Sequence, residues 1–412
     1  MGSFPHWNRG WERRQGIAGI AGCTASLQCA FQAICHKLSR PPPNAFSGNE
    51  SIEVQMRRFL LTLAITTMIS VAECRAQAPG NKPKSPDYAL EIGESKRVAA
   101  VLTYNVSCPQ LSATRWIIFA AVAPELPGQE KATTVLSPDG IAVTEKSLLR
   151  RKLLMARVPI TNTDLLTAVP IQVSYEATLR SRRLNALPPD AKPMNPPILS
   201  PEDRKFYLAE HGQIDFRQAA FKKWLQGEKL VRSSDQDDLE FARRAFLRIR
   251  SQMTYEYNAH MDRRASAVCN KGKSDCGGLS VLFVSVMRAN GIPARTLYGR
   301  WAESAKPDEM LGDEPYYQTH VKAEFFAEGI GWIPIDMSLA VKDDKSEEGL
   351  AFFGVDKADF ITFHVDPDMS LDTGLFGVEP VDNVQRPAWW AAGRGSPNPF
   401  RAAEKWTVKV LK

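Results

Sequence analysis

The sequence predicts an α+β fold: a helix carrying a cysteine packs on an antiparallel sheet carrying a histidine and an aspartate, and an all-β, sandwich-like domain precedes them. Three observations predict it. Residues 276–289 form an apolar run that opens on a cysteine and stops at Asn290-Gly291-Ile292-Pro293. Residues 319–336 alternate as two strands about a glycine-bearing turn. Residues 88–184 break into short alternating runs parted by turn signals such as Pro138-Asp139-Gly140.

The helix comes first. Asp275-Cys276-Gly277-Gly278 leads into Leu279-Ser280-Val281-Leu282-Phe283-Val284-Ser285-Val286-Met287. Two glycines let the backbone approach another group closely, and Asn-Gly followed by proline stops a helix. Cys276 is therefore expected in the first turn of a helix of about three turns. Unpaired N–H groups and the positive end of the helix dipole would favour its thiolate there.

The hairpin follows. Thr319 to Phe326 alternates, Ala327-Glu328-Gly329-Ile330-Gly331 is a turn, and Trp332 to Asp336 is the returning strand. Pairing Phe326 with Trp332 would set Asp336 opposite Lys322 and His320 opposite Ser338. His320 and Asp336 would then be diagonal neighbours on one face, within side-chain reach. A one-residue slip would part them. A nucleophile, a base and a carboxylate that orients the base suit covalent acyl chemistry.

With these residues in view, the chain resembles the transglutaminase-like superfamily. The pieces are Asp275-Cys276-Gly277, Gly291-Ile292-Pro293-Ala294-Arg295, His320 with Glu324 four residues on, and Gly331-Trp332-Ile333-Pro334-Ile335-Asp336. They stand in the superfamily's order and span about residues 205–340. The resemblance implies a papain/transglutaminase-like catalytic core with Cys276 as nucleophile, His320 as general base and Asp336 as its orienting partner. No cofactor and no metal are expected. The sequence departs at Val321-Lys322, where the family often has small and aromatic residues after the histidine.

The rest of the chain divides by composition. Residues 56–76 start on Met56-Arg57-Arg58, run through an apolar core and end in small residues, as a signal peptide does. Residues 1–55 are then expected to be a mis-assigned upstream extension. Residues 77–87 read as a linker, 88–184 as the β domain and 185–204 as a proline-rich linker. The catalytic domain is expected over 205–365, with a C-terminal extension over 366–412. Within the catalytic domain, Ser233-Ser234-Asp235 is expected to cap a helix whose apolar face is Leu239, Ala242, Phe246 and Ile249.

Charge excludes one function class. The net charge is +6, and +4 of it lies in residues 1–76. The nearly balanced remainder lacks the basic excess of a nucleic-acid protein. After export three cysteines would remain, Cys108, Cys269 and Cys276, and an odd number leaves at least one thiol free. Cys108 and Cys269 could pair in an oxidising compartment or stay buried and unpaired. His260 and Cys269 fit no zinc spacing, and Asp366-Pro367-Asp368 fits no calcium loop. Tyr255 and Tyr257 are taken as core or surface aromatics, and His364 as a weaker second histidine. The acidic loop Glu303–Tyr316 is expected to rim the cleft.

The functional expectation is an exported, periplasmic or secreted, thiol acyl-transfer enzyme acting on peptide-like amides of a protein or peptide substrate. Water as acceptor makes it a peptidase or amidase. The alternatives are a protein-glutamine transglutaminase and a non-catalytic exported binding domain. No membrane span is expected after signal removal.

Overall fold

The computed structural model describes residues 88–188 and 197–411. The expected signal segment at 56–76, the stretch ahead of it and residues 77–87 lie outside them. Six strands come first: β1 (Tyr88–Ser107), β2 (Leu111–Ala121), β3 (Gln129–Ser137), β4 (Ile141–Thr144), β5 (Lys152–Pro159) and β6 (Ala168–Ala186). Four helices follow, α1 (Pro201–Tyr207), α2 (Ala219–Gly227), α3 (Asp238–Gln252) and α4 (Ala265–Lys271), with β7 (Thr254–Tyr255) ahead of α4 and β8 (Lys273–Ser274) after it. The cysteine helix is α5 (Cys276–Ala289). Then come β9 (Ala294–Trp301), β10 (Met310–Leu311), β11 (Glu314–Pro315), β12 (Thr319–Ala327), β13 (Gly331–Ile335) and α6 (Met337–Lys342). The chain closes with β14 (Val355–Asp356), β15 (Phe360–Val365), β16 (Met369–Asp372), β17 (Val378–Val381), β18 (Ala388–Gly395) and β19 (Arg401–Val410).

Two antiparallel sheets face each other in the β region. One runs β14-β6-β1-β19, with β3 also paired to β6, and the other runs β18-β2-β5-β4. The strand period of two explains them. In β1, Val98, Ala100, Leu102, Tyr104 and Val106 turn inward, and in β6, Val169, Ile171, Val173, Tyr175, Ala177 and Leu179 do the same. Trp116, Phe119 and Trp406 fill the space between. The strands β18 and β19 come from the stretch read as a C-terminal extension. They pair with β2 and β1, from Ala388 opposite Phe119 and from Val98 opposite Val410. Their long separation in sequence hid this, because strand pairing leaves no local signal.

The second unit of architecture is the sheet β13-β12-β9-β15, all antiparallel. Helix α5 packs across β12 and β9, and its residues from Gly277 to Arg288 are buried. Leu279, Leu282, Phe283, Val286, Phe325 and Phe246 share one core. Burial all round explains why its sequence is apolar all round rather than striped. Strand β15 also serves the other core. Phe363 stacks on Tyr175 at 4.2 Å and packs against Trp406, so the sheet β13-β12-β9-β15 and the sandwich share a wall.

Local expectations fare unevenly. The apolar face of α3 is buried as expected, but its cap is Asp237, whose carboxylate accepts from the N–H groups of Leu239 and Glu240. Ser233 and Ser234 lie too far upstream, and Asp237 directly precedes the first helical residue. No helix of the described residues is long and apolar enough to cross a membrane.

Candidate active site

Asp275 is the N-cap of α5, and its Oδ1 accepts from Gly278 N at 3.1 Å. Arg263 grips the same carboxylate through Nε at 2.9 Å and Nη2 at 2.5 Å. The cap thereby fixes the turn that presents Cys276. Gly278 is required there, since a Cβ at that position would lie 2.0 Å from Ser274 Oγ. Further along α5, Ser280 Oγ donates to Val321 O at 3.1 Å. That bond ties the cysteine helix to the strand residue next to His320.

The hairpin has the expected register: Phe326 faces Trp332 and Ala323 faces Ile335. It ends sooner than the alternation implies. Strand β13 stops at Ile335, and Asp336 turns out of the sheet to cap α6. Asp336 therefore does not sit opposite Lys322 in a ladder, and Ser338 belongs to α6 rather than facing His320. The cap brings the carboxylate to the histidine all the same. Asp336 Oδ2 lies 2.7 Å from His320 Nε2, while Oδ1 accepts from Ser338 Oγ and Leu339 N, both at 3.0 Å. Burial works against its charge, but the His320 and Lys322 charges and the Leu339 N–H hold the Asp336 carboxyl below the usual range. Ionised, Asp336 is an acceptor only, so His320 donates Nε2–H and keeps Nδ1 as its basic nitrogen.

Cys276 is partly exposed and free. The bond from Ser280 to Val321 O sets its helix beside the strand of His320. Burial pushes the thiol's pKa well above its ordinary value, and the Asp275 and Asp336 charges add to this. Arg263 and the Val321 N–H pull the other way and do not prevail. The helix start favours an anion, and burial of the sulfur with the Asp275 and Asp336 charges opposes it.

Aromatic groups surround these three residues. Trp301 stacks on His320 with centroids 4.3 Å apart and planes 21° apart, and Phe360 meets the imidazole edge-on. Tyr316 lies within electrostatic reach of Cys276, and burial pushes its phenol up. Tyr255, set aside in the sequence, belongs beside the cysteine. Strand β7 pairs in parallel with β8, placing Tyr255 against Ser274, two residues before Cys276. Burial and then the Cys276 charge raise its phenol pKa. The acidic loop forms the small β10-β11 hairpin, where Tyr257 donates to Glu314 at 3.2 Å. No short-range pattern marks Trp301 or Tyr316; the pairing of His320 with Gly299 is what draws Trp301 alongside.

Other candidates resolve into structure. His364 is buried and stacked on Tyr298, its Nδ1 donates to Asp366 O at 3.0 Å, and its Nε2 accepts from Val384 N. Burial lowers its pKa to about 3, so it is neutral and cannot serve as a base. Cys108 and Cys269 are both free and lie in different cores. Among the described residues no three His, Cys, Asp or Glu side chains form a group that could hold a metal ion. Glu324 bridges Arg182 of β6 and Arg295 of β9, at 2.7 and 2.6 Å.

Comparison with known proteins places part of this in a family. The family model of the transglutaminase-like superfamily matches residues 228–337. A curated and itself uncharacterized protein of Haemophilus influenzae is 29% identical over 123 residues. That match covers 24% of this chain and only 33% of the relative's length. Among solved structures, a protein of Cytophaga hutchinsonii provisionally described as a cysteine protease is 11% identical, with a TM-score of 0.45 over 79% of this chain and 93% of that one. The periplasmic domain of TgpA from Pseudomonas aeruginosa is 15% identical, with a TM-score of 0.28 over 60% and 91%. At these scores neither structure bears on the chemistry.

Proposed function

We propose that this chain, whose residues 228–337 form a domain of the transglutaminase-like superfamily, is a thiol acyl-transfer enzyme that hydrolyses peptide-like amides through a Cys276 thioester. The observation that carries the reading is the 2.7 Å bond from His320 Nε2 to Asp336. It commits one imidazole nitrogen to the carboxylate and leaves the other to take a proton. Cys276, at the start of the helix that Ser280 ties to the residue after His320, is the group that loses it.

The steps balance as follows. His320 Nδ1 takes the thiol proton as the sulfur attacks the amide carbonyl. The imidazolium that results is stabilised by ionised Asp336. The tetrahedral oxyanion needs donors at the start of α5. Gly278 N–H is taken by Asp275 Oδ1 and Leu279 N–H by Asp275 O, so the donors are the N–H groups of Cys276 and Gly277. Collapse breaks the C–N bond, and His320 returns its proton to the leaving amine. Water, deprotonated by His320, then attacks the thioester and releases the acid and the thiol.

An amine in place of that water would make the same machinery a transglutaminase. A binding domain without catalysis would leave Cys276 unreactive. Export is part of the proposal and rests on the basic, apolar and small-residue order of residues 56–76. The test is a screen of peptide amides with and without primary amines, alongside labelling by a thiol-directed probe. Hydrolysis without amine incorporation, with the label on Cys276, supports the reading. Amine incorporation would replace it with cross-linking, and an unlabelled Cys276 with no turnover would leave only binding.

A further inference from the structure

We propose that Gln385, carried by the C-terminal segment between β17 and β18, is a positioning residue for His320. The inference rests on His320 being the base of the proposed reaction. Gln385 Nε2 donates to Gly299 O at 2.7 Å and to His320 O at 2.8 Å. Gly299 and His320 are partners across β9 and β12, so one amide spans the rung that carries the imidazole. A glutamine suits the task because its terminal NH₂ offers two donors, which a carboxylate or an apolar side chain lacks.

The main chain of Gln385 is itself held. Buried Arg300 donates to Gln385 O through Nη2 at 2.8 Å and to Tyr317 O through Nη1 at 2.9 Å. It thereby clamps the approach to His320 on one side and the glutamine's main chain on the other. The preceding residue, Val384, is buried and donates its N–H to His364 Nε2 at 3.2 Å. Arg300 also pairs with Glu404 of β19. The backbone of His320 is thus fixed by chain that lies 65 residues further on, and its side chain is fixed by Asp336 and Trp301. Angular error in a base costs rate steeply, which is why a brace on the main chain that carries the imidazole matters.

The experiment uses the full chain and the rate of iodoacetamide alkylation at Cys276 against pH, mapped by mass spectrometry. Wild type, His320→Ala, Gln385→Ala and the near-isosteric Gln385→Met are compared, with thermal melts as a folding check. The expected result is that both glutamine variants stay folded, that their alkylation near neutral pH falls about tenfold, and that their pH profile moves toward that of His320→Ala. Rates within twofold of wild type on an unmoved profile would overturn the proposal. Failure of both variants to fold would overturn it too, since the fold rather than the imidazole would then need the amide. If wild type reacts no faster than His320→Ala, the acyl-transfer reading itself fails, and that outcome is distinct from the other two.

Discussion

Asp336 reaches His320 from the cap of a helix, not from the strand beside it. Its Oδ2 lies 2.7 Å from His320 Nε2, while Oδ1 is held by Ser338 and Leu339. One carboxylate therefore ends β13, starts α6 and orients the imidazole. Asp336→Asn keeps the cap but loses the charge that stabilises the imidazolium. It is expected to lower turnover by about 10²–10⁴-fold while the melting temperature falls only modestly. Equal activity in the two proteins would show that the charge is not used.

Trp301 supplies the flat face against which His320 rests. Trp301→Leu should weaken turnover about tenfold through imidazole disorder, with the loss in kcat rather than KM. Trp301→Phe should recover most of it, because a second ring can restore the stack. Steady-state kinetics of the pair decide this, and equal losses in both variants would count against stacking.

Glu324 is fully buried between Arg182 and Arg295. Removing it leaves two guanidinium groups without their shared partner. Glu324→Ala should cost about 3–5 kcal/mol of stability. Denaturant unfolding measures it, and a change below about 1 kcal/mol would mean the arginines repair themselves through Asp356 and solvent.

The acid limb of stability has a definite sign. Despite burial, nearby cations and hydrogen bonds hold the Asp336, Asp356, Asp366 and Glu404 carboxyls below their ordinary range. The stability they contribute is present above the unfolded value of about 4 and is lost as pH falls through the lower folded values. Asp368 runs the other way. Burial and the Asp382 charge push it up to about 6, so wild type loses stability as pH rises from about 4 to 6. Asp368→Asn should raise stability at pH 7.5 by on the order of 1 kcal/mol, discounted for partial exposure, and should lose that advantage below about pH 4. Melting temperatures across pH 3–8 test both limbs. An advantage for Asp368→Asn that persists at acid pH would point to a different cause.

What was legible in the sequence follows from the range of the interactions. The placement of Cys276 at a helix start, the stop at Asn290 and the register of Phe326 with Trp332 all follow from local periodicity and turn chemistry. Asp336 was legible as a partner of His320, but not its route, because a strand end and a helix cap look alike over one residue. Tyr255, Trp301, Tyr316 and Gln385 come to the site through pairings between distant segments, which no local pattern encodes. The thiol's raised pKa was hidden for the same reason: the helix dipole is local, whereas the burial of Cys276 and its proximity to Asp336 are products of the fold.

The central claim is that Cys276 carries the acyl group, and peptide-mapping mass spectrometry of a rapidly quenched reaction tests it most directly. The protein is mixed with an activated peptide ester, quenched in acid and digested. The account predicts a mass gain equal to the acyl group on the peptide holding Cys276, absent in Cys276→Ala and slow to form in His320→Ala. Turnover that persists in Cys276→Ala, or an acyl group found on Cys269 or another residue, would contradict it.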